Sequence, residues 1–177
     1  MTNKEISSKE ESIVFIGFMG VGKTSIGQAV AERLSRDFID IDEAIEKKHN
    51  MPTKEIFKKI GEKAFREEEA TMIATYCKQK EKVISVGGGA FLQEKTRDIC
   101  LSECIVVFLD LSWEAWQERI SLIIDSRPVL QDKRPEEIRT LFHDRQAIYK
   151  DHHVRINTDN LPIDAVTDLA VEKLKIY

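Results

Sequence analysis

The chain has 177 residues, of which 42% are hydrophobic and 33% are charged, and its formal net charge is −4. This length and balance are typical of one globular domain with a core of its own. Because the lysines and arginines are scattered along the sequence, neither a nucleic-acid groove nor a surface for anionic membranes is indicated.

The cysteines and the first residues indicate an intracellular protein. Three cysteines, without C-x-x-C or metal-ligand spacing, are expected to be small buried hydrophobic residues in a reducing compartment. Residues 1–12 are polar and lack the apolar stretch of a secretory signal, and no run approaches the eighteen apolar residues of a membrane span. We therefore expect a cytoplasmic protein with a flexible tail over residues 1–12 and one domain over residues 13–177.

A phosphate-binding loop follows the first predicted strand. The apolar run Ile13–Ile16 leads into Gly17–Thr24, which has the spacing G-x-x-x-x-G-K-[ST], and a helical pattern begins at Ile26. Glycines let backbone N–H groups approach phosphate oxygens, and the helix N-terminus adds a positive dipole end. Lys23 is predicted to reach the β- and γ-phosphates, and Thr24 to bind magnesium. The alternative is a tight turn that serves packing only. The predicted nucleotide-binding residues are Gly17, Gly20, Val21, Gly22, Lys23, Thr24 and Ser25.

Strand and helix patterns alternate from here on, which favours a parallel sheet covered on both faces. The segment Phe38–Asp42 is predicted to be the second strand, so that Asp40 and Asp42 project together at its carboxyl end. The alternative is that these two aspartates cap a helix starting near Glu43 and have no other role. Since two like charges side by side repel without a cation or substrate, we predict a functional pair.

Residues 43–80 are predicted to be helical and heavily charged. Gly61 interrupts the pattern, and a longer helix is predicted from Glu62 to Gln79 with Phe65 facing inward. Arg66 stands near the start of that helix, where a cation opposes the helix dipole.

Three consecutive glycines, Gly87–Gly89, follow the third predicted strand, Val83–Val86. Such a run costs conformational entropy at a strand end, which indicates close approach of a ligand to bare backbone rather than a merely flexible turn. The remaining predicted elements are a fourth strand Ile105–Leu109, a helix from about Ser112, a connector or mobile lid over residues 121–135, a helix Glu136–Lys150, a fifth strand Val154–Asn157 and a final helix Pro162–Leu174.

Together these motifs resemble those of the shikimate kinases over almost the whole chain, from about Ile13 to Lys175. The matching segments are the loop Gly17–Thr24, Asp40-Ile41-Asp42, Phe65-Arg66-x-x-Glu69, Gly87-Gly88-Gly89, Arg127-Pro128-Val129-Leu130 and Arg145 in a D-R-x-x-x-Y context. The resemblance implies a three-layer αβα P-loop kinase with a five-stranded parallel sheet in the order 2-3-1-4-5.

The resemblance also implies the reaction and the partners. The γ-phosphoryl group of ATP would pass to the 3-hydroxyl of shikimate, with Mg²⁺ as cofactor, during aromatic amino-acid biosynthesis. Lys23, Asp42 and Arg127 would be catalytic, with Arg127 also facing the γ-phosphate, and Thr24 and Asp40 would hold the metal. Substrate would contact Asp42, Phe57, Phe65, Arg66, Gly87, Gly88, Gly89, Arg145 and Pro128. A monomer without nucleic-acid or membrane partners is expected.

One departure from the family concerns the adenine. A basic residue usually stands seven positions before the lid arginine, and here that position is Ile120. Arg119 is the proposed replacement, and the loop Thr158–Leu161 is the proposed second wall of the adenine site.

Two rival functions remain from the sequence. A kinase of another small hydroxy acid, such as a gluconate kinase, would share the loop and the fold. A nucleotide-dependent switch is the rival from a different class, but the chain lacks the Asn-Lys-x-Asp and Asp-x-x-Gly motifs of GTPases.

Overall fold

The structure, a computed structural model, describes residues 10–123 and 130–175. Its strands are β1 (Ser12–Ile16), β2 (Asp37–Asp40), β3 (Lys82–Ser85), β4 (Cys104–Asp110) and β5 (Val154–Asn157). Its helices are α1 (Lys23–Leu34), α2 (Ile41–His49), α3 (Thr53–Cys77), α4 (Glu94–Glu103), α5 (Trp113–Ile123), α6 (Pro135–Tyr149) and α7 (Ile163–Leu174), with a 3₁₀ turn at Ala90–Leu92. None of the helices within the described ranges is long and apolar enough to span a membrane.

The five strands form one parallel sheet in the order β2-β3-β1-β4-β5, which confirms the predicted topology. Successive residues of a strand face opposite sides of a sheet, and every residue of β1 is at most 1% exposed, so both faces are covered at the centre. Asp40 pairs with Ser85, and Ile16 pairs with Phe108. The carboxyl ends of these strands therefore meet at one edge, where ligand sites form in such sheets.

Two predicted boundaries are wrong. β2 ends at Asp40, whose side chain accepts a hydrogen bond from the backbone N–H of Glu43 (3.0 Å) and caps α2. Asp42 therefore lies in the first turn of a helix, not on a strand beside Asp40. The expected tail over residues 1–12 is too long, because Ser12 begins β1 and both Glu11 and Ser12 are buried.

Helix α4 was not predicted. Its ten residues bury only Thr96 and Cys100, so its sequence carries little apolar periodicity.

The predicted interruption at Gly61 is confirmed, since this residue has φ +82° and ψ 162° within the otherwise helical α3. A methyl group placed on Gly61 would meet no atom within 4 Å, so the requirement for glycine there is conformational.

The three cysteines are buried, as expected, and they lie together at one end of α3. The Sγ atoms of Cys77 and Cys100 are 3.8 Å apart, and the thiol of Cys104 donates to the carbonyl oxygen of Cys77 at 3.6 Å. They pack where α3, α4 and β4 meet.

His153 makes the fold sensitive to acid. Its Nδ1 accepts a hydrogen bond from the Val106 N–H (2.9 Å), which requires a neutral ring, and burial together with His152 lowers its pKa. Because the folded pKa lies below the unfolded value, this residue contributes stability above about pH 6.5 that is lost as the pH falls through the folded pKa.

We expect His153→Asn, which keeps an acceptor in place, to lose less free energy of unfolding than wild type between pH 7 and pH 5. Denaturant titrations at both values measure this, with the exposed His143→Asn as control. An equal loss in His153→Asn and wild type would contradict the assignment.

Candidate active site

A cleft of about 860 Å³ opens at the carboxyl edge of the sheet. It brings together residues predicted for nucleotide, metal and acceptor. The predicted site residues that line it are Gly20, Gly22, Lys23, Thr24, Ser25, Asp40, Asp42, Phe57, Phe65, Arg66, Gly87, Gly88 and Gly89.

The phosphate-binding loop has the geometry of an anion site. Gly22 caps α1 with φ +102°, a conformation that favours glycine, and the first turn of α1 carries no acidic residue. The N–H groups and the positive end of α1 therefore point at the cleft without a competing carboxylate. The Nζ of Lys23 is buried and donates to the carbonyl oxygens of Gly17 (2.7 Å) and Phe18 (3.0 Å), which fixes its charge beside the loop.

Aromatic side chains of α5 and α6 pack against this loop. The ring of Phe18 lies 5.1 Å from Trp116 and 5.0 Å from Phe142, both edge-on, and the Trp116 indole N–H donates to the Met19 carbonyl at 2.8 Å. The sequence pattern placed Trp116 on a helix but gave no indication of this support. Two separate helices, α5 and α6, thus anchor the loop that is predicted to bind the phosphates.

Thr24 and Asp40 form the candidate metal site. The Thr24 hydroxyl donates to Oδ2 of Asp40 at 2.6 Å, while Oδ1 of the same carboxylate caps α2. One hydroxyl and one carboxylate are hard oxygen ligands that suit Mg²⁺, which keeps several waters and takes further oxygens from phosphates. Within the described residues there is no group of three or more histidine, cysteine or acidic side chains that would bind a metal without such help. The residues therefore fit Mg²⁺ bound together with a nucleotide.

The triple glycine lies against the acceptor residues. A methyl group on Gly87 would lie 3.0 and 3.1 Å from the two carboxylate oxygens of Asp42, and one on Gly89 would lie 2.5 Å from Nη2 of Arg66. All three distances are shorter than ordinary van der Waals contact. Asp42 and Arg66 therefore lie directly against this backbone, and a side chain at position 87 or 89 would displace them.

Arg66 is held in place by a carboxylate and two aromatic rings. Its Nη1 donates to Oε1 of Glu69 at 2.8 Å, and its guanidinium carbon lies 5.5 Å from the ring centre of Phe65 and 6.0 Å from that of Phe57. The two rings are themselves 4.6 Å apart. A guanidinium oriented in this way offers its remaining N–H groups as a fork for a carboxylate.

Glu69 is a member of the site to which the sequence assigned no role. Its side chain is fully buried, and its Oε2 has no hydrogen-bond partner among the described residues. Burial, with a smaller contribution from the charge of Asp42, raises the pKa of Glu69 to about 7 against the opposing effect of Arg66. This carboxyl group therefore orients Arg66 while its own charge is destabilised.

Arg145 lies one layer behind the cleft. Its Nη1 donates to the carbonyl oxygen of Gly88 at 2.9 Å, and it is not among the described residues that line the cleft. Burial, with a smaller effect from Arg66, lowers the pKa of Arg145. Two guanidiniums therefore approach the same region from α3 and α6, with Gly88 between Arg145 and the cleft.

Other predicted residues stand apart from the cleft. Gly17 and Val21 belong to the loop but do not line the described cleft, and Arg127 and Pro128 lie outside the described residues. The Nη1 of Arg119 donates to the Val21 carbonyl at 3.5 Å, which puts this side chain against the loop. The described cleft does not include the loop Thr158–Leu161, so its contact with adenine stays a prediction.

The cleft also contains polar residues that the sequence did not single out. Oε1 of Glu46 accepts from the backbone N–H and the hydroxyl of Thr53, both at 2.8 Å, and the Nζ of Lys54 donates to Oε1 of Gln131 at 3.3 Å. All four residues line the cleft. They are isolated polar residues in charged segments, so no spacing distinguishes them.

Glu69 gives the protein a measurable pH dependence. Its folded pKa of about 7 exceeds the usual 4.5, so the folded state binds more protons, and its ionisation lowers the free energy of unfolding as pH rises between these values, by up to about 3 kcal/mol. We expect the stability of Glu69→Gln relative to wild type to increase from pH 5 to pH 8 in denaturant titrations.

The neighbouring Glu68 supplies a control of opposite sign. Hydrogen bonds from Lys48 and His49 lower its pKa, so its contribution is present above about pH 4.5 and is lost only as pH falls through its folded pKa. In a His49→Asn background, which removes the histidine that pairs with Glu68, Glu68→Gln should be less stable than His49→Asn alone by a constant amount from pH 5 to pH 8. A pH-independent difference for Glu69→Gln over the same range would contradict the assignment of Glu69.

Comparison with known proteins agrees with this geometry. The family model described as shikimate kinase matches residues 19–175. The shikimate kinase of Oceanobacillus iheyensis is 54% identical over 168 residues, which cover 95% of this chain and 92% of that protein.

Solved structures agree as well. The shikimate kinase structure from Bacteroides thetaiotaomicron superposes with a TM-score of 0.85 at 30% identity, covering 94% of this chain and 99% of that one. The Acinetobacter baumannii shikimate kinase, solved in complex with shikimate, has a TM-score of 0.83 at 34% identity and covers 94% and 92% of the two chains. On both grounds, the chain belongs to the shikimate kinase family.

Proposed function

We propose that this protein transfers the γ-phosphoryl group of ATP to the 3-hydroxyl of shikimate, giving shikimate 3-phosphate and ADP in chorismate and aromatic amino-acid biosynthesis. The observation that carries the proposal is that the phosphate-binding loop shares one cleft with Asp42 and Arg66. Membership of the family and the shikimate complex of the Acinetobacter relative support this acceptor.

The donor side binds the polyphosphate of ATP. The N–H groups at the start of α1 and the ammonium of Lys23 contact the β- and γ-phosphates. Thr24 and Asp40 would hold Mg²⁺, which neutralises charge on these phosphates when it is bound.

The acceptor side selects a small acid with hydroxyl groups. Arg66 and Arg145 bind the carboxylate of shikimate, since a guanidinium fork matches a carboxylate in shape and charge. The rings of Phe57 and Phe65 form an apolar wall for the cyclohexene ring.

Asp42 orients the reacting hydroxyl and accepts its proton. Phosphoryl transfer has a loose transition state, so the protein mainly positions groups and neutralises charge, and the proton leaves the hydroxyl late. Arg127, in the predicted lid over residues 121–135, faces the γ-phosphate in this proposal, where an arginine typically contributes about 10³–10⁵ in rate. Lid closure would exclude water as a competing acceptor.

We also propose that the protein acts as a monomer in the cytoplasm. The donor and acceptor roles in this proposal are all assigned to residues of one chain. The formal charge of −4 gives no support for a nucleic-acid partner.

A coupled ADP assay tests the reaction. We expect ADP release to require shikimate, with little or none for quinate, gluconate or no acceptor. Asp42→Asn should abolish it while ATP binding is retained, because the hydroxyl loses its proton acceptor. The exposed Asp98→Asn on α4 is the control and should keep wild-type activity. Equal ADP release without an acceptor would overturn the kinase proposal, and preference for gluconate would favour the other hydroxy-acid kinase.

Variants that remove or displace the Arg66 side chain test its proposed contact with the carboxylate of shikimate. We expect Arg66→Ala to raise the KM for shikimate by roughly tenfold or more, the size of a lost hydrogen bond to a charged group, with an unchanged KM for ATP. Gly89→Ala should act in the same direction, because its methyl group would displace the Arg66 guanidinium from its position. The exposed Lys63→Ala on the same helix is the control. An unchanged shikimate KM in both test variants would remove Arg66 from the acceptor site.

A further inference from the structure

The carbonyl oxygen of Gly88 accepts two hydrogen bonds from one helix. Arg145 Nη1 donates to it at 2.9 Å, and the Tyr149 hydroxyl donates to it at 2.7 Å. The two residues are four positions apart on α6 and therefore project from the same face. Both lone pairs of this carbonyl are thus occupied, one by a charged side chain and one by a neutral side chain.

Gly88 also touches the phosphate-binding loop. A methyl group on Gly88 would lie 3.4 Å from the Met19 backbone nitrogen, 3.4 Å from the Tyr149 hydroxyl and 3.7 Å from the Gly17 carbonyl oxygen. Its backbone is therefore seated between the donor loop and Tyr149. This peptide therefore lies next to both the donor loop and the helix that carries Arg145.

Tyr149 is anchored to the centre of the sheet. The residue is 1% exposed, and its ring lies 5.5 Å from that of Phe108 on β4. Burial raises the pKa of Tyr149 far above neutral pH, so its hydroxyl remains a donor under physiological conditions. Tyr149 therefore ties the Gly88 carbonyl to the rigid part of the fold.

We propose that Tyr149 is a positioning residue for the acceptor, a role that rests on the proposed function. Its hydroxyl holds the Gly88 carbonyl in place while Arg145 binds this carbonyl and the acceptor carboxylate together. Arg145 has five N–H donors and uses one on Gly88 in this structure, so it serves both partners only if the carbonyl stays where it is. Without the hydroxyl, this half-buried carbonyl keeps Arg145 as the remaining one of its two described side-chain donors, so binding of the carboxylate competes with that bond.

Steady-state kinetics of Tyr149→Phe test this role. Removal of the hydroxyl should raise the KM for shikimate about tenfold, the size of one lost buried hydrogen bond, and leave the KM for ATP within twofold of wild type. An unchanged KM for ATP also shows that the variant is folded. Tyr76→Phe removes the hydroxyl of a partly buried tyrosine on α3 that does not line the described cleft, and it should behave as wild type.

A double-mutant cycle with Arg145→Ala separates positioning from packing. If Tyr149 acts through the carbonyl that it shares with Arg145, adding Tyr149→Phe to Arg145→Ala should change the shikimate KM less than twofold. A shikimate KM within twofold of wild type in Tyr149→Phe would overturn the role. The same tenfold rise in the Arg145→Ala background would also overturn it. A wild-type chain that does not turn over shikimate would instead overturn the proposed function, and the role with it.

Discussion

The bare backbone of Gly87–Gly89 is the constraint on which the rest of the site depends. Asp42 from α2 and Arg66 from α3 lie so close to Gly87 and Gly89 that a methyl group there would displace the ends of these side chains. The phosphate-binding loop lies next to Gly88, where a methyl group would make ordinary van der Waals contact with it. One short segment therefore lies beside the donor loop and beside two side chains of the acceptor half.

The cations of the site lie beside the proposed phosphate and acceptor positions, although acidic residues also line the cleft. The carboxyl group paired with Arg66, Glu69, has its pKa raised by burial to about 7, so its negative charge is destabilised. An acceptor carboxylate would give Arg66 and Arg145 a second anionic partner. Neutral acceptors of similar shape would leave two guanidiniums without this partner.

Regular features of this fold could be predicted from the sequence, because short apolar runs and the glycine-rich loop have strong local signals. The sheet order and the break at Gly61 are confirmed. Asp42 was assigned to the wrong element because the strand ends at Asp40, which also caps α2, and no residue in this short segment separates the strand from the helix. The aromatic support of the loop by Trp116 and the shared carbonyl of Gly88 depend on contacts between residues about sixty to one hundred positions apart, which no local spacing reveals.

The break in α3 has a consequence for the acceptor side. Phe57 and Phe65 are eight residues apart, and in a straight helix that separation would be about 12 Å along the axis. Their rings are nevertheless 4.6 Å apart, because Gly61 turns the chain between them. The separation of the two rings thus depends on the backbone conformation of Gly61, which is not itself part of the aromatic wall. A helix that continued without this break would carry the two rings apart and remove the wall, even with both phenylalanines unchanged.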